Sequence, residues 1–153
     1  MHVVLFRPEI PPNTGNAMRL AANTGARLHL VRPLGFELDA ARLRRAGLDY
    51  REWADVVVHD DLGSFLTTVP HGRVLAFTRD GDTRHDDVAY EADDALLFGP
   101  ESTGLPDDVL AAPEVAARVR IPMQPRSRSL NLANAVAVVL YEALRQQGFP
   151  GME

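Results

Sequence analysis

Residues 2–16 read HVVLFRPEIPPNTGN, an apolar run followed by a loop that contains three prolines. A short continuous apolar run is typical of a strand buried on both faces of a parallel sheet. The small and amide residues that follow indicate a helix start, so we predict a helix over residues 15–23 with Asn13 or Thr14 as its cap. Strand, loop and helix in this order form the repeating unit of an α/β domain.

The same alternation continues along the rest of the chain. A length of 153 residues matches one ordinary domain. We therefore predict a single domain over residues 1–153, an α/β fold with a mostly parallel sheet and helices on both faces. The further strands are predicted at 27–31, 56–59, 73–78, 95–99 and 118–122, and the further helices from Asp39 to a stop at Gly47, at 61–68 and at 132–147.

Composition excludes several classes of chemistry. The chain has no cysteine, which excludes disulfides, thiol catalysis and cysteine-ligated metals. All sixteen cations are arginine, which excludes a lysine nucleophile. The five histidines lack metal-binding spacing, and the glycine-rich phosphate-binding motifs and the G-x-S-x-G turn are absent, so we expect no metal, P-loop or serine elbow.

The charge and hydropathy patterns indicate which partners and which cellular compartment to expect. The net charge is −5, but fifteen acidic residues against three arginines fall within 52–114, which leaves both ends of the chain basic. A folded chain can bring such ends together to meet an anionic partner. No apolar run approaches the length of a membrane span, and the N-terminus does not resemble a signal peptide, so we expect a cytoplasmic protein without membrane contact.

Ligands of parallel sheets bind beyond the carboxyl ends of the strands, and three loops there carry polar residues. In NTGNAMR, at 13–19, Asn16 and Arg19 share a helix face, although a cap followed by a solvated arginine explains the pattern equally well. In FGPESTGLP, at 98–106, two glycines and two prolines predict a rigid loop around Glu101. The alternative is a tight turn with Glu101 beside a helix start.

The third loop precedes the last helix. It reads IPMQPRSRSLN at 121–131, and its arginines, serines and asparagine before a helix N-terminus favour an anion. Simple capping by Ser129 or Asn131 is the alternative. The helix itself is apolar almost all round, so one side is expected to pack on the sheet and the other on a second subunit. Complete burial within one chain is the alternative.

Taken together and in this order, the three segments resemble the motifs of the SPOUT superfamily of RNA methyltransferases. The segments PEIPPNTGN, RLRRAGLDY and QGFPG make the resemblance closer to the tRNA 2′-O-methyltransferases that act on the wobble nucleotide, cytidine or 5-carboxymethylaminomethyluridine at position 34. The resemblance implies a C-terminal trefoil knot, S-adenosylmethionine as cofactor, tRNA as substrate and a homodimer formed through the C-terminal helix. Methylation of another tRNA position or of rRNA, and RNA binding without catalysis by the same fold, are the alternatives.

The resemblance also implies roles for individual residues. Arg19 would lie at the 2′-hydroxyl, bind the substrate phosphate and stabilise the developing alkoxide, because a guanidinium stays protonated and is a poor general base. The residues implied to orient Arg19 and the ribose are Asn16, Glu101, Ser129 and Asn131. Those implied to bind the cofactor are Phe77, Thr78, Gly99, Pro100, Glu101, Ile121, Pro122, Met123, Ser129 and Leu130. The candidates for tRNA phosphates are Arg42, Arg44, Arg45, Arg126 and Arg128, for which ordinary surface charge is the alternative.

Overall fold

The computed structural model describes residues 1–38 and 56–153, and seven parallel strands form one sheet within them. The strands are β1 His2–Phe6, β2 Arg27–Val31, β3 Val56–His59, β4 Val74–Phe77, β5 Thr83–Arg84, β6 Ala95–Phe98 and β7 Val115–Arg120. Their order across the sheet is β3-β2-β1-β6-β4-β7-β5. The prediction of a mostly parallel α/β sheet is confirmed, whereas the helix predicted from Asp39 lies outside the described residues.

Helices cover both faces of the sheet, as predicted. They are α1 Pro11–Thr24, α2 Leu62–Thr68, α3 Asp107–Leu110 and α4 Leu132–Gln146. One buried cluster joins α1 and α4 to the sheet through Met18, Val136 and Leu140. The other joins α2 to the opposite face through Phe65. Alternate strand residues supply the two clusters, because successive side chains of a strand point to opposite faces.

The first helix begins earlier than predicted. It starts at Pro11, its N-cap is Ile10, and neither Asn13 nor Thr14 is the cap. Two prolines occupy the first turn, where the fixed φ of proline suits a helix and its missing N–H loses no hydrogen bond. The amide residues therefore lie inside α1, and both Asn13 and Thr14 are buried.

Strand β7 also differs from its predicted position. It begins at Val115 and ends at Arg120, whereas residues 118–122 were predicted. Val115 and Ala117 belong to the strand through their pairing with β4, a partner that the local sequence does not reveal, and Pro122 cannot donate to a sheet ladder. The short elements β5 and α3 were not predicted, because neither has an apolar run of its own.

Strand β7 lies between two elements that are close neighbours in sequence. Val119 pairs with Phe77 of β4 on one side and with Thr83 of β5 on the other. Residues 78–82 therefore cross over the carboxyl end of β7 at the level where the chain leaves that strand. Gly81 fits this crossing because a methyl group there would overlap the backbone of Val119 and Arg120.

Three histidines form a buried hydrogen-bonded row across β1, β2 and β3. His2 Nδ1 lies 3.0 Å from His29 Nε2, and His29 Nδ1 lies 2.9 Å from His59 Nε2. The ring of Phe65 packs edge-on against all three imidazoles. His29 is thus structural, as the sequence favours. Among the described residues, no group of three or more His, Cys, Asp or Glu side chains could hold a metal ion.

Burial keeps these imidazoles neutral. Desolvation lowers the pKa of His2 to about 4 and that of His29 to about 3, and it also lowers the pKa of His59. An unfolded histidine titrates near 6.5. Between about pH 6.5 and pH 4 the unfolded chain therefore binds more protons than the folded one, and the stability of the fold decreases as the pH falls.

We predict that the free energy of unfolding decreases as the pH falls from 7 towards 5. Each neutral buried histidine contributes a slope of up to about 1.4 kcal/mol per pH unit in this range. Urea unfolding at a series of pH values measures it. The variant His2→Asn keeps a polar partner for His29 and removes one titrating ring, so its slope should be lower by about one proton. Equal stability of the wild type at pH 7 and pH 5 would contradict the prediction.

Candidate functional site

The three loops singled out in the sequence meet at the carboxyl edge of the sheet, around the carboxylate of Glu101. Glu101 Oε2 accepts a hydrogen bond from the backbone N–H of Glu9 at 2.8 Å. Its Oε1 accepts from the backbone N–H of Ile10 at 3.1 Å and from Asn13 Nδ2 at 3.0 Å. The carboxylate of the second loop is therefore bound by the segment that opens α1.

Glu101 binds the backbone directly before α1. Pro11 and Pro12 have no N–H, and the N–H groups of Asn13 and Thr14 donate to the carbonyl of the N-cap Ile10. The carboxylate of Glu101 accepts from the two amides that precede Pro11, and a negative charge at a helix N-terminus is favourable. A carboxylate 92 positions along the chain from Glu9 thus holds the segment that leads into the first helix.

Asn13 joins this arrangement to the third loop. Its Oδ1 accepts from Asn131 Nδ2 at 2.8 Å, while its Nδ2 donates to Glu101. Asn131 in turn caps α4, because its Oδ1 accepts from the backbone N–H of Asn134 at 3.2 Å. The side chains of Glu101, Asn13 and Asn131 therefore form one continuous connection between the starts of α1 and α4.

The loop that carries Glu101 is as tight as its glycines and prolines predict. A methyl group on Gly99 would overlap the backbone of Gly104 and Leu105, so only glycine permits this approach. Gly104 has a φ of 71°, and its N–H donates to the carbonyl of Pro100 at 2.9 Å. The backbone of residues 99–105 consequently turns back on itself directly after β6.

An open cavity of about 680 Å³ lies against this loop. Such a volume is within the range of small-molecule sites, and the walls combine apolar side chains with a few polar groups, as those sites do. The residues predicted from the family resemblance to bind a cofactor line it, except Pro122. They are Phe77, Thr78, Gly99, Pro100, Glu101, Ile121, Met123, Ser129 and Leu130.

The other candidate residues divide into three groups. Asn131 lines the cavity with Glu101 and Ser129, and so does Arg128. Asn16 and Arg19 are exposed on α1 and do not line the cavity, so one chain does not bring them together with Glu101 in that space. Arg126 is exposed outside the lining. Three further arginines, Arg42, Arg44 and Arg45, lie outside the described residues.

Sequence reasoning missed two residues that the structure places at the site. Asn13 was considered only as a helix cap, although an amide just after a proline pair is a signal that could have identified it. Glu9 has no local signal, because its partners lie 92 and 93 positions away. Its carboxylate accepts from the backbone N–H and the hydroxyl of Ser102 at 2.9 and 2.7 Å.

Comparison with known proteins gives consistent matches over the whole chain. The model of the SpoU rRNA methylase family matches residues 1–141. A relative from Yersinia pestis, named tRNA (cytidine(34)-2′-O)-methyltransferase, is 55% identical over 99% of this chain and 96% of its own length. A relative of the same name from Aeromonas hydrophila is 56% identical over 99% and 97%.

Solved structures agree with this similarity. A structure described as an RNA methyltransferase from Bacillus anthracis has a TM-score of 0.90 and 42% identity, over 99% of this chain and 97% of that one. A structure reported for the 2-OH methylation of C/U34 on tRNA has a TM-score of 0.87 and 49% identity, over 96% and 95%. An AdoMet-bound rRNA methyltransferase from Sinorhizobium meliloti has a TM-score of 0.81 and 28% identity, and the match covers 94% of this chain and 55% of that one.

We predict that Asn13→Ala lowers the free energy of unfolding by about 2 kcal/mol. The change removes one of three donors to Glu101 and leaves the part-buried Asn131 Nδ2 without its acceptor. Urea unfolding measures the loss. Asn23→Ala is the matched control, because Asn23 is exposed on the same helix and its replacement should change stability by less than about 0.5 kcal/mol. Equal stability of the two variants would contradict the prediction.

Proposed function

Because the chain belongs to the SpoU rRNA methylase family, we propose that it transfers a methyl group from S-adenosylmethionine to the 2′-oxygen of the wobble nucleotide of tRNA, position 34. The observation that carries this proposal is the identity of about 55% to enzymes named for that reaction, over nearly the full length of both chains. The substrate nucleotide is cytidine or 5-carboxymethylaminomethyluridine, as the sequence motifs imply.

The cavity fits S-adenosylmethionine. Its apolar walls, which include Phe77, Ile121 and Met123, suit the adenine ring and the methionine chain. Thr78 and Ser129 supply hydroxyls for the polar parts. When bound, S-adenosylmethionine supplies a methyl group on a sulfonium that is itself the leaving group, so the protein needs no covalent intermediate. Structural relatives crystallised with AdoMet support the assignment.

The task left to the protein is to place the ribose hydroxyl in line with the methyl carbon. In the transfer, an O–C bond would form as the C–S bond breaks, S-adenosylhomocysteine would leave, and the hydroxyl proton would pass to solvent as the oxygen becomes alkoxide-like. Arg19 stabilises this charge and binds the adjacent phosphate, since a guanidinium remains protonated and donates two parallel hydrogen bonds. Asn16, one helical turn before Arg19, lies beside it on α1.

Glu101 acts on the reaction through α1. Its two oxygens already accept three hydrogen bonds from residues 9–13, so the carboxylate fixes the start of the helix that carries Arg19. Asn131 fixes the same start through Asn13, and Ser129 lies beside Asn131 at the cavity wall. These residues therefore orient Arg19 and the ribose, and Glu101 is not the general base.

The substrate RNA is bound by arginines around the cavity. Arg128 lines the cavity and Arg126 is exposed beside it, so both can reach the phosphates next to the target nucleotide. Arg42, Arg44 and Arg45 belong to the same proposal from sequence. We assign the protein to the cytoplasm, in keeping with a tRNA substrate; no helix within residues 1–38 and 56–153 is long and apolar enough to span a membrane.

We propose a homodimer formed through α4. Val138 and Tyr141 leave 43% and 42% of their surface exposed on this helix, which is unusual for large apolar residues that recur on one helix face. Helix α1 packs beside α4 on the same face of the sheet, so a second copy there approaches Asn16 and Arg19. The dimer thus explains how residues outside one chain's cavity take part in a site: they complete the partner's.

We also propose that the C-terminal part of the chain forms a trefoil knot. The crossing of residues 78–82 at the carboxyl end of β7 supports it, because a chain that leaves β7 beneath this crossing on its way to α4 would be threaded through a loop. Knots are rare in proteins, so topology rules alone argue against one. Here the crossing brings residues 121–131 back against the loop at Gly99, and both segments line the cavity.

Nucleoside mapping tests the proposed function. Incubation of the wild type with unfractionated tRNA and labelled S-adenosylmethionine should give a 2′-O-methylated nucleotide at position 34. Arg19→Ala should reduce the transfer at least about a hundredfold, as loss of a charge-stabilising group does, with S-adenosylmethionine affinity nearly unchanged. Arg27→Ala is the control, because Arg27 is exposed at the start of β2, at the opposite edge of the sheet.

Other outcomes decide between the alternatives. A methyl label at another tRNA position or in rRNA would contradict the proposed substrate but would confirm that the protein is an RNA 2′-O-methyltransferase. Tight tRNA binding without transfer to any RNA would favour a binding module of the same fold. Near-normal turnover by Arg19→Ala would contradict the role of Arg19.

Sedimentation tests the dimer. We expect twice the chain mass at micromolar concentration, and we expect Val138→Glu to sediment as a monomer that has lost methyl transfer, because a charge in an apolar interface is unfavourable. Thr67→Glu is the control, since Thr67 is exposed on α2 at the other face of the sheet. A wild type that sediments as a monomer would contradict both the dimer and the shared site.

A further inference from the structure

Glu9 and the cavity loop exchange hydrogen bonds in both directions. The Glu9 carboxylate accepts from the backbone N–H of Ser102 through Oε2 and from its hydroxyl through Oε1, at 2.9 and 2.7 Å. The backbone N–H of Glu9 donates to Glu101 Oε2 at 2.8 Å. We call these three hydrogen bonds among Glu9, Glu101 and Ser102 the Glu9 clasp. Each segment thus supplies one carboxylate to the other.

The Glu9 side chain does not line the cavity and accepts hydrogen bonds from the loop, residues 99–104, that does. Glu101 and Ser102 line the cavity, whereas Glu9 does not. The backbone N–H and the hydroxyl of Ser102 both donate to the Glu9 carboxylate. The position of Ser102 in the cavity wall therefore depends on the position of that carboxylate. An effect of Glu9 on ligand binding would therefore be indirect.

The Glu9 side of the clasp is the anchored side. The carbonyl of Pro8 accepts from the backbone N–H of Gly35 at 2.9 Å. Gly35 packs so closely that an added methyl group would lie 2.8 Å from the Cα of Glu9. Ser102, Thr103 and Gly104 are exposed by contrast. The clasp consequently restrains the exposed part of the loop, which begins at Ser102, relative to residue 9.

Because the clasp lies at the surface, its effect on ligand affinity differs from its effect on the stability of the fold. Both hydrogen bonds to Ser102 lie in solvent, where charged interactions contribute little to global stability. A loop that is ordered before its ligand arrives, however, loses less conformational entropy on binding. The same bonds therefore matter more for affinity than for the fold.

We propose that Glu9 is a positioning residue that holds residues 99–104 in the conformation that binds S-adenosylmethionine, and so sets the affinity for this cofactor. The inference rests on the proposed function for the identity of the ligand. It assigns to the loop between β1 and α1 a role that is separate from that of Arg19 on the helix.

Calorimetric titration of the full chain with S-adenosylmethionine tests it. We expect Glu9→Ala to raise Kd about tenfold, the change that one charge-assisted hydrogen bond typically makes. Glu9→Gln keeps an acceptor without the charge and should give an intermediate Kd. Turnover at saturating cofactor and KM for tRNA should stay within about twofold of wild type, and Tm within about 2 °C. Hydrogen exchange at residues 101–104 should be faster in Glu9→Ala without ligand.

Matched variants make the interpretation specific. Ser102→Thr keeps both donors and should bind as the wild type does, whereas Ser102→Ala loses the hydroxyl and should bind more weakly. In the Glu9→Ala background, Ser102→Ala should add no further loss, because the partners act as a pair. Glu114→Ala is the control for removing a surface carboxylate, since Glu114 is exposed just before β7, at the opposite edge of the sheet.

Several results would overturn the proposal. One is an unchanged Kd for Glu9→Ala, and another is a decrease confined to turnover at saturating cofactor. A third is an additive loss of affinity in the double variant, which would mean that Ser102 contacts the cofactor independently of Glu9. A wild type that binds S-adenosylmethionine but methylates no RNA would contradict the proposed function alone, because the comparison of affinities still decides the role of Glu9. A wild type that binds no S-adenosylmethionine would contradict both.

Discussion

The carboxylate of Glu101 is the constraint on which the site depends. Helix α1 opens with two prolines, and the amides of Glu9 and Ile10 directly before it donate to the Glu101 carboxylate. Glu101 lies at a tight turn after β6, where a methyl group on Gly99 would overlap the backbone of Gly104 and Leu105. Removal of this carboxylate would leave those two amides without this acceptor and would also remove the hydrogen bonds between the loop and the segment that opens α1. Structure and function are therefore coupled at one side chain.

The same interaction bears on the alignment that our proposed methyl transfer requires. Methyl transfer from a sulfonium mainly requires alignment, and alignment requires that the elements around the reacting atoms are rigid. The chain from Glu101 through Asn13 to Asn131 joins the starts of α1 and α4, and the Glu9 clasp adds the cavity loop. In our proposal the cofactor binds to a preorganised edge of the sheet, and a helix of the partner subunit completes the site.

Predictions from the sequence succeeded where the signal is local. Apolar runs located β1, β2, β3, β4 and β6, and Asn131 was recognised as a possible cap of α4. They were wrong where a neighbour in space decides. The start of α1 was misplaced because Ile10, whose amide donates to the distant Glu101, is the N-cap rather than Asn13 or Thr14. The start of β7 was misplaced because Val115 and Ala117 belong to the strand through their pairing with β4. The roles assigned to Asn16 and Arg19 stay predictions.

The sequence by itself determined the α/β class, the three loops that carry the chemistry and the family to which they point, because strand periodicity and motif spacing are properties of short segments. Only the tertiary structure decided that Asn13 and Glu9 belong to the site, that Glu101 binds the segment before a distant helix, and that residues 78–82 cross over β7. Each of these is a contact between residues far apart in the chain. Such contacts depend on how the strands are ordered and packed in the sheet, and the sequence of a single segment does not reveal that order.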